Sequence, residues 1–267
     1  MYRGNKPEGN GRYAITSVQN ALKVLKLFDA QNVQLSLIEI SKLSGISKST
    51  TLRIVFTLVQ EGFLKQDETS KKYELGIEIV RMGLSAFDSL DLNRIASARL
   101  KKLADETGLI VQMAILNKNE LILTLKILPK VGFSRALSSH IGGSMPIWCT
   151  GIGRLFLANM KEEKAREILN SCELKQYTPN TILDRDEIMR LVKTAAKEKS
   201  IITSSEHENG IISICYPIYD HTNKMIAGFS ASGIREVIAD MDINKIKDAA
   251  KKASEDISNE LGHNIVS

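Results

Sequence analysis

Apolar positions in the first ninety residues recur at helical spacing and then fall into two short extended runs, which predicts three helices and a strand pair. The predicted inward positions of the helices are, in chain order, Val18, Ala21, Leu22, Leu25 and Phe28; Leu37, Ile40 and Leu43; and Leu52, Val55, Phe56 and Val59. The turn Ser44-Gly45-Ile46 joins the second helix to the third, which Ser47 can cap. Residues 63–66 and 71–75 predict a β-hairpin.

Three helices followed by a hairpin predict a winged helix-turn-helix domain, which we place at residues 17–75. The preceding residues 1–16 are rich in glycine and polar side chains and are predicted to form a flexible arm. A further stripe, Ile77, Val80 and Leu84, predicts a linker helix over residues 76–90.

Residues 91–267 mix helical and strand patterns and predict a second domain. Helices are expected before Gly108 and at residues 150–160, 162–170, 186–200 and 246–261, with strands at 109–116, 121–128, 211–219 and 225–232. Because pairs of strands are interspersed with helices rather than alternating strictly with them, the fold class is predicted as α+β with an antiparallel sheet.

Composition narrows the class of protein. The chain has 267 residues, 43% of them hydrophobic and 25% charged, which is ordinary for a globular protein and unlike a disordered or fibrous one. No apolar run is long enough to cross a bilayer, and no secretory signal is recognisable at the start. The three cysteines show no CxxC spacing, so neither a disulfide framework nor a metal site is predicted, and a cytoplasmic location fits best.

Positive charge is concentrated in the first third of the chain. The whole chain carries 36 Lys and Arg against 31 Asp and Glu, but residues 1–83 alone hold 12 basic and 8 acidic side chains. This excess of +4 predicts an anionic partner for the first domain, although a basic solvated surface would show the same balance.

The segment Ser47-Lys48-Ser49-Thr50-Thr51-Leu52-Arg53 carries the chemistry that suits DNA. Hydroxyl groups and free N–H groups at a helix start can bind phosphates, and a guanidinium one turn further on can reach a guanine edge. Lysines on the predicted hairpin can hold adjacent phosphates. The alternative is a capped, solvent-facing helix with incidental Ser and Thr. The candidate DNA contacts are Ser47, Lys48, Ser49, Thr50, Thr51, Arg53, Lys71, Lys72 and Tyr73.

The chain resembles the IclR family of bacterial transcriptional regulators from about Ser17 to Gly262. The resemblance rests on SVQNALKVLKLF, LIEISKLSGISKSTTLRIVFTLVQEGFL and KKYELG, and then on IGGSMPIWCTGIGRLFLA, QYTPNTI, EHENGIISICYPIYD and FSASG. It implies a winged-helix domain that binds a double-stranded operator, a linker helix, and a GAF-like effector-binding domain. It also implies assembly as a homodimer or homotetramer and leaves repression and activation equally open.

The resemblance also implies effector contacts in the second domain, at Gly151, Ile152, Thr203, Ser213, Ser230 and Ser232. The sole tryptophan, Trp148, is expected to line one side of the same cavity or to stack on a ring of the effector. Several positions depart from the common pattern: Trp148 replaces His, Arg154 replaces Lys, Thr203 replaces Asp, Ile212 replaces Arg and Ser213 replaces Cys. We therefore expect a small, mostly apolar monoacid or neutral effector rather than a dicarboxylate or a phosphate.

Two other functions compete with this interpretation. An enzyme would use Cys149 or Cys215 as nucleophile and His140, His207 or His221 as base, but no catalytic spacing supports one. A sensor or adaptor would use the helix-turn-helix for protein contacts without binding DNA. We expect a non-enzymatic regulator without a cofactor or a metal.

Overall fold

The computed structural model describes residues 14–29, 31–88, 91–130 and 137–263, without the side chains of residues 86–91. Most of the predicted arm, residues 1–13, lies outside these ranges, as do residues 89–90 of the predicted linker and residues 131–136 and 264–267. The chain divides into two compact units, residues 1–89 and 90–267.

The first unit contains a helix-turn-helix followed by a hairpin. Its helices are α1 (Thr16–Leu25), α2 (Leu37–Ser44), α3 (Lys48–Gln60) and α4 (Ile77–Asp88), and its strands are β1 (Leu64–Gln66) and β2 (Tyr73–Leu75). Ser36 and Glu39 form a capping box at the start of α2, and Gly45, at φ 67°, ends that helix in the left-handed conformation. The sharp turn that follows brings Ser47 to the start of α3, where its side chain accepts a hydrogen bond from the N–H of Thr50.

The core of the first unit contains the predicted Phe28, Ile40 and Val55, but α3 is rotated relative to the predicted pattern. Its buried apolar side chains are Val24, Phe28, Leu35, Ile40, Val55, Leu58 and Leu64. The inward face of α3 consists of Thr51, Val55 and Leu58, whereas the predicted inward residues Leu52 and Phe56 are exposed. The predicted inward residues Val18, Leu22 and Leu43 are also exposed.

The second unit is an α+β structure with a six-stranded antiparallel sheet in the order β5-β4-β3-β8-β7-β6. Its helices are α5 (Asp91–Thr107), α6 (Gly151–Ala158), α7 (Glu162–Ser171), α8 (Arg185–Glu198), α9 (Arg235–Ala239) and α10 (Ile243–Glu260). Its strands are β3 (Ile110–Asn117), β4 (Glu120–Ile127), β5 (Ser144–Met145), β6 (Ile201–Ser204), β7 (Ile211–Tyr219) and β8 (Met225–Ile234). The predicted α+β class is confirmed.

The two faces of this sheet carry different side chains because neighbouring residues of a strand point in opposite directions. Cys215 of β7 faces α6, since a Cβ atom on Gly151 would lie 2.4 Å from its sulfur. The next residue, Tyr216, stacks on Phe229 and lines a groove with Lys251 and Glu255 of α10. The face toward α6 is the one that carries the polar residues of the candidate effector site.

Candidate functional site

The start of α3 presents a cluster of hydroxyl groups to solvent. Ser47 both caps the helix and donates to the Thr50 hydroxyl over 2.9 Å, with the Ser49 hydroxyl 3.3 Å away. Lys48 and Arg53 are exposed, and α3 contains no acidic residue. This surface combines hydrogen-bond donors, positive charge and a helix N-terminus, and each of these attracts phosphate.

Thr51 does not belong to that surface, and its prediction as a DNA contact is wrong. Its side chain is fully buried, and its hydroxyl donates to the carbonyls of Ser47, at 3.0 Å, and Ile46. The reason is the rotation of α3, which turns Thr51 inward and Leu52 outward. On the side of α3 toward α1, Thr50, Arg53 and Thr57 border an apolar groove of about 510 Å³.

The hairpin brings one predicted lysine fully to the surface. Lys71 is exposed and has the left-handed φ of 57°, whereas Lys72 and Tyr73 are half-buried. The main chain of Tyr73 pairs with that of Leu35, and its ring packs against the core of the first unit. The exposed lysine and the α3 surface therefore carry most of the chemistry of this candidate site, and Tyr73 anchors the strand.

The register of the second unit's sheet brings most of the predicted effector contacts together. Thr203 of β6 pairs with Ser213 of β7, which in turn pairs with Ser232 of β8. Two residues further along these strands, on the same face of the sheet, Ser230 pairs with Cys215. A cavity of about 50 Å³ lies over these rows, lined by the predicted residues Gly151, Ile152, Thr203, Ser213 and Ser230.

Ser232 does not line the cavity but forms hydrogen bonds to two serines that do. Its hydroxyl lies 2.9 Å from that of Ser213 and 3.2 Å from that of Ser230, so it orients two hydroxyls that do line it. At the start of α6, Thr150 accepts a hydrogen bond from the N–H of Gly153 and donates to the carbonyl of Pro146. A side chain on Gly151 would clash with Cys215, so only glycine lets α6 approach the sheet this closely.

Two carboxylates that the sequence reasoning did not single out also line this cavity, Glu206 and Glu208. Arg154 of α6 is buried and makes a bidentate ion pair with Glu206, while its Nε donates to the carbonyl of Trp148 over 2.8 Å. Glu208 accepts hydrogen bonds from both the N–H and the hydroxyl of Ser138. Both carboxylates belong to the sequence EHENG, part of a motif on which the family resemblance rests. That motif could have indicated that these residues line the cavity.

Burial keeps the remaining titratable groups of the cavity neutral. It raises the pKa of the Cys149 and Cys215 thiols to about 12, so both are protonated at neutral pH and are poor nucleophiles. It lowers the pKa of His207, which lines the same cavity. These shifts favour a binding cavity and disfavour the cysteine-based enzyme that the sequence left open.

Trp148 does not line the candidate effector cavity, so the structure does not support its prediction as one side of that cavity. Its ring lines a separate groove with Cys172 and Tyr177, and the centroids of the Trp148 and Tyr177 rings are 6.2 Å apart. The turn before α6 sends the carbonyl of Trp148 toward Arg154 and its indole toward Tyr177.

Neither a metal centre nor a membrane span emerges from the described part of the chain. Within it, no three His, Cys, Asp or Glu side chains gather as ligands for a metal ion. No helix there combines the length and apolar character needed to cross a bilayer.

Comparison with known proteins gives matches over both units. Residues 17–68 match the family model of the IclR helix-turn-helix domain, and residues 84–259 match that of the C-terminal part of bacterial transcriptional regulator IclR. The HTH-type transcriptional regulator XynR of Escherichia coli K12 is 29% identical over 249 residues, covering 93% of this chain and 98% of XynR.

Solved structures match the fold of nearly the whole chain. An IclR transcriptional regulator from Alicyclobacillus acidocaldarius superposes with a TM-score of 0.82 at 28% identity, covering 94% of this chain and 98% of that one. An IclR homologue from Microbacterium hydrocarbonoxydans, complexed with 4-hydroxybenzoate, gives a TM-score of 0.80 at 21% identity, covering 92% and 98%.

Proposed function

The chain belongs to the IclR family of bacterial transcriptional regulators, and from this premise we propose how it binds DNA and what it senses. Residues 17–75 bind operator DNA, and residues 91–267 bind a small organic effector. Residues 76–90 form the linker helix between these two domains. The observation that carries the first assignment is the exposed, acid-free surface of α3, which follows a capped turn and lies in the same unit as the exposed Lys71. We also place the protein in the cytoplasm, where a bacterial transcriptional regulator finds its operator DNA.

Operator contacts divide into those that read bases and those that hold phosphates. Arg53 is placed one turn into α3, where a guanidinium can reach a guanine edge, so Arg53→Ala should cost about 1–3 kcal/mol on the preferred sequence and relax one base position. Lys71→Ala should weaken binding to all duplexes alike. Binding should also fall steeply with salt, by roughly 0.9 units of log–log slope per phosphate contacted.

The test is a selection of duplexes from a random pool, followed by titration of each variant against the selected and a scrambled duplex. Lys197→Ala, an exposed cation of the second unit, is the matched control and should bind like wild type. Equal loss by Arg53→Ala on both duplexes would make Arg53 a phosphate contact. Failure to select any sequence at low salt would favour the adaptor function instead.

For the effector we propose a small monocarboxylic acid or a neutral compound of similar size. The cavity of about 50 Å³ has room for roughly three to five water molecules, far below the range of about 300–1,000 Å³ for drug-sized ligands. Serine hydroxyls and the start of α6 can hold one carboxylate. The relative from Microbacterium hydrocarbonoxydans is complexed with 4-hydroxybenzoate, a monoacid.

A thermal-shift panel tests this effector class, with benzoate, 4-hydroxybenzoate and short aliphatic monoacids against succinate and glucose 6-phosphate. A true effector adds about 2.7 kcal/mol of stability at a hundredfold excess over its dissociation constant. Ser213→Ala and Ser230→Ala should remove the shift and leave operator binding intact. Ser204→Ala, on β6 but outside the cavity lining, is the control. Stabilisation by only succinate or the sugar phosphate would contradict the proposal.

We further propose that the protein works as a homodimer or homotetramer. One winged helix contacts too little DNA for strong binding, and two half-sites require two copies in a fixed relation. The candidate contacts are the exposed apolar residues of α1 and α4, Val18, Leu22, Ile77, Val80 and Leu84.

A further inference from the structure

Two large apolar side chains project from the solvent face of α3, where a soluble helix ordinarily carries polar residues. Leu52 is 50% exposed and Phe56 is 63% exposed. They lie one turn apart on the face that also carries Ser49 and Arg53, at positions i, i+3, i+4 and i+7. The rotation of α3 that buries Thr51 is what brings both side chains to the surface.

Neither side chain belongs to the hydrophobic core of the first unit. The buried core that α3 contributes to consists of Val55 and Leu58, together with side chains from α1, α2, β1 and the adjoining loops. Leu52 and Phe56 also do not line the groove between α1 and α3. Because the two side chains are one turn apart, they form a small apolar surface among polar residues that is suited to contact with a partner.

The positive charge around the two side chains indicates that the partner is an anion. Lys48 and Arg53 flank Leu52 on the same helix, and α3 contributes no carboxylate. A polyanion with apolar groups at regular positions satisfies both features. The major groove of DNA is such a surface, because phosphates border it and each thymine presents a C5-methyl group on its floor.

We propose that Leu52 and Phe56 read thymine methyl groups in the operator, on either side of the base contacted by Arg53. This inference rests on the proposed operator binding through α3. Four residues of α-helix span about 6 Å, and successive base pairs are about 3.4 Å apart, so all three side chains fall within a window of about three base pairs. The operator half-site therefore contains thymine at one or two positions that neighbour the Arg53 contact.

The experiment removes the methyl group from the DNA and the side chain from the protein. A duplex selected from a random pool by the wild-type protein is resynthesised with deoxyuridine in place of thymidine, one position at a time. Each duplex is titrated with wild type, Leu52→Ala, Phe56→Ala and the control Ile38→Ala. Ile38 is 65% exposed on α2, so this control removes an equally exposed apolar side chain away from α3. Melting curves verify that each variant folds.

At the methyl that Phe56 contacts, deoxyuridine should weaken wild-type binding about fourfold, the loss expected for one buried methyl group. Phe56→Ala should bind the thymidine and deoxyuridine duplexes equally at that position, and Ile38→Ala should retain the full difference. Wild-type binding that is indifferent to deoxyuridine at every position overturns this inference alone. The inference is also overturned if Phe56→Ala and Leu52→Ala lose the same factor in affinity on the thymidine and deoxyuridine duplexes. The methyl group would then contribute equally with and without the side chain. Failure to select any duplex overturns the proposed operator binding and this inference with it.

Discussion

Arg154 has one of the largest side chains that the described structure buries completely, and its charge is balanced by Glu206. Arg154→Leu would leave the Glu206 carboxylate buried without a counter-charge, so we expect a loss of about 3–5 kcal/mol in the free energy of unfolding of the second unit. Arg154→Lys keeps a positive charge and should lose less. Urea denaturation followed by circular dichroism measures all of these differences.

A double variant separates the unpaired charge from the loss of packing. Arg154→Leu with Glu206→Leu removes both charges and should recover most of the stability, because a buried ion pair is replaced by apolar side chains. A single Arg154→Leu variant that loses less than about 1 kcal/mol would show that solvent reaches Glu206 and that the pair does not hold this wall of the cavity.

His207 should make the stability of the second unit depend on pH. Burial lowers its pKa below the ordinary value of 6.5, so the unfolded chain takes up a proton at a higher pH than the folded chain does. Between the two pKa values unfolding binds a proton, and stability therefore falls as the pH drops below about 6.5. We expect a lower urea midpoint at pH 5.5 than at pH 7.5.

His207→Gln should reduce that difference, because glutamine carries no proton to exchange. His221→Gln changes an exposed histidine of the β7–β8 turn and is the control, which should keep the wild-type difference. The range from pH 7.5 to 5.5 lies above the ordinary pKa values of carboxylates, so histidines dominate the change. Equal pH dependence in wild type and His207→Gln would contradict the prediction.

Trp148 and Glu206 show what sequence reasoning can and cannot place at the level of residues. The position of Trp148 before α6 indicates its neighbours along the chain, but the direction of its ring depends on the turn at Pro146 and on Tyr177. Glu206 lies in a motif that was recognised, yet its role as the partner of Arg154 joins residues 52 positions apart. Such pairings are set by tertiary packing.

Among the elements, long segments with strong periodicity were predicted well, and the short hairpin strands β1 and β2 were predicted from the turn between them, but three other short elements were missed. Strand β7 was predicted with its observed bounds, and α7 to within one residue. Strand β5 has two residues, β6 four and α9 five, too few for a period to show. The register of α3 was wrong because two stripes fit its sequence. The stripe through Thr51 looked polar, although the hydroxyl of Thr51 bonds to carbonyls of the preceding turn.

That register predicts opposite behaviour for Thr51 and Ser49, which lie two residues apart in α3. Thr51→Val keeps the buried volume but removes two hydrogen bonds, so we expect a loss of about 1 kcal/mol in the stability of the first unit and unchanged affinity of the folded protein for the operator. Ser49→Ala alters an exposed hydroxyl and should leave stability unchanged while weakening operator binding. Thermal melts and titrations at a temperature where both variants are folded separate the effects.

For the whole molecule, the sequence was sufficient to divide the chain into a basic DNA-binding part and an effector-binding part. Element patterns and charge predict a division near residue 90, and the compact units of the structure comprise residues 1–89 and 90–267. The rows that bring Thr203, Ser213 and Ser232 together depend on the pairing of β6, β7 and β8. Only the resemblance to a known family could supply that pairing in advance.

The proposed assembly of two or more copies depends most directly on the exposed apolar residues of α4. Ile77, Val80 and Leu84 are 71%, 52% and 60% exposed and lie along one side of this helix. If this stripe joins two copies, a carboxylate at its centre must be desolvated within the interface. We therefore expect Val80→Glu to give a monomer by light scattering at micromolar concentration, with operator affinity reduced to that of a single half-site.

Met82 provides the matched control for that substitution. It is 51% exposed on the same helix, but two residues from Val80 correspond to about 200° of rotation, which places it on the opposite side of α4. Met82→Glu introduces the same charge in the same element and should remain an oligomer that binds the operator fully. A monomeric mass for the wild type, with and without operator DNA, would contradict the proposed assembly. If Val80→Glu stays oligomeric while Leu22→Glu does not, the contact between copies runs through α1 instead.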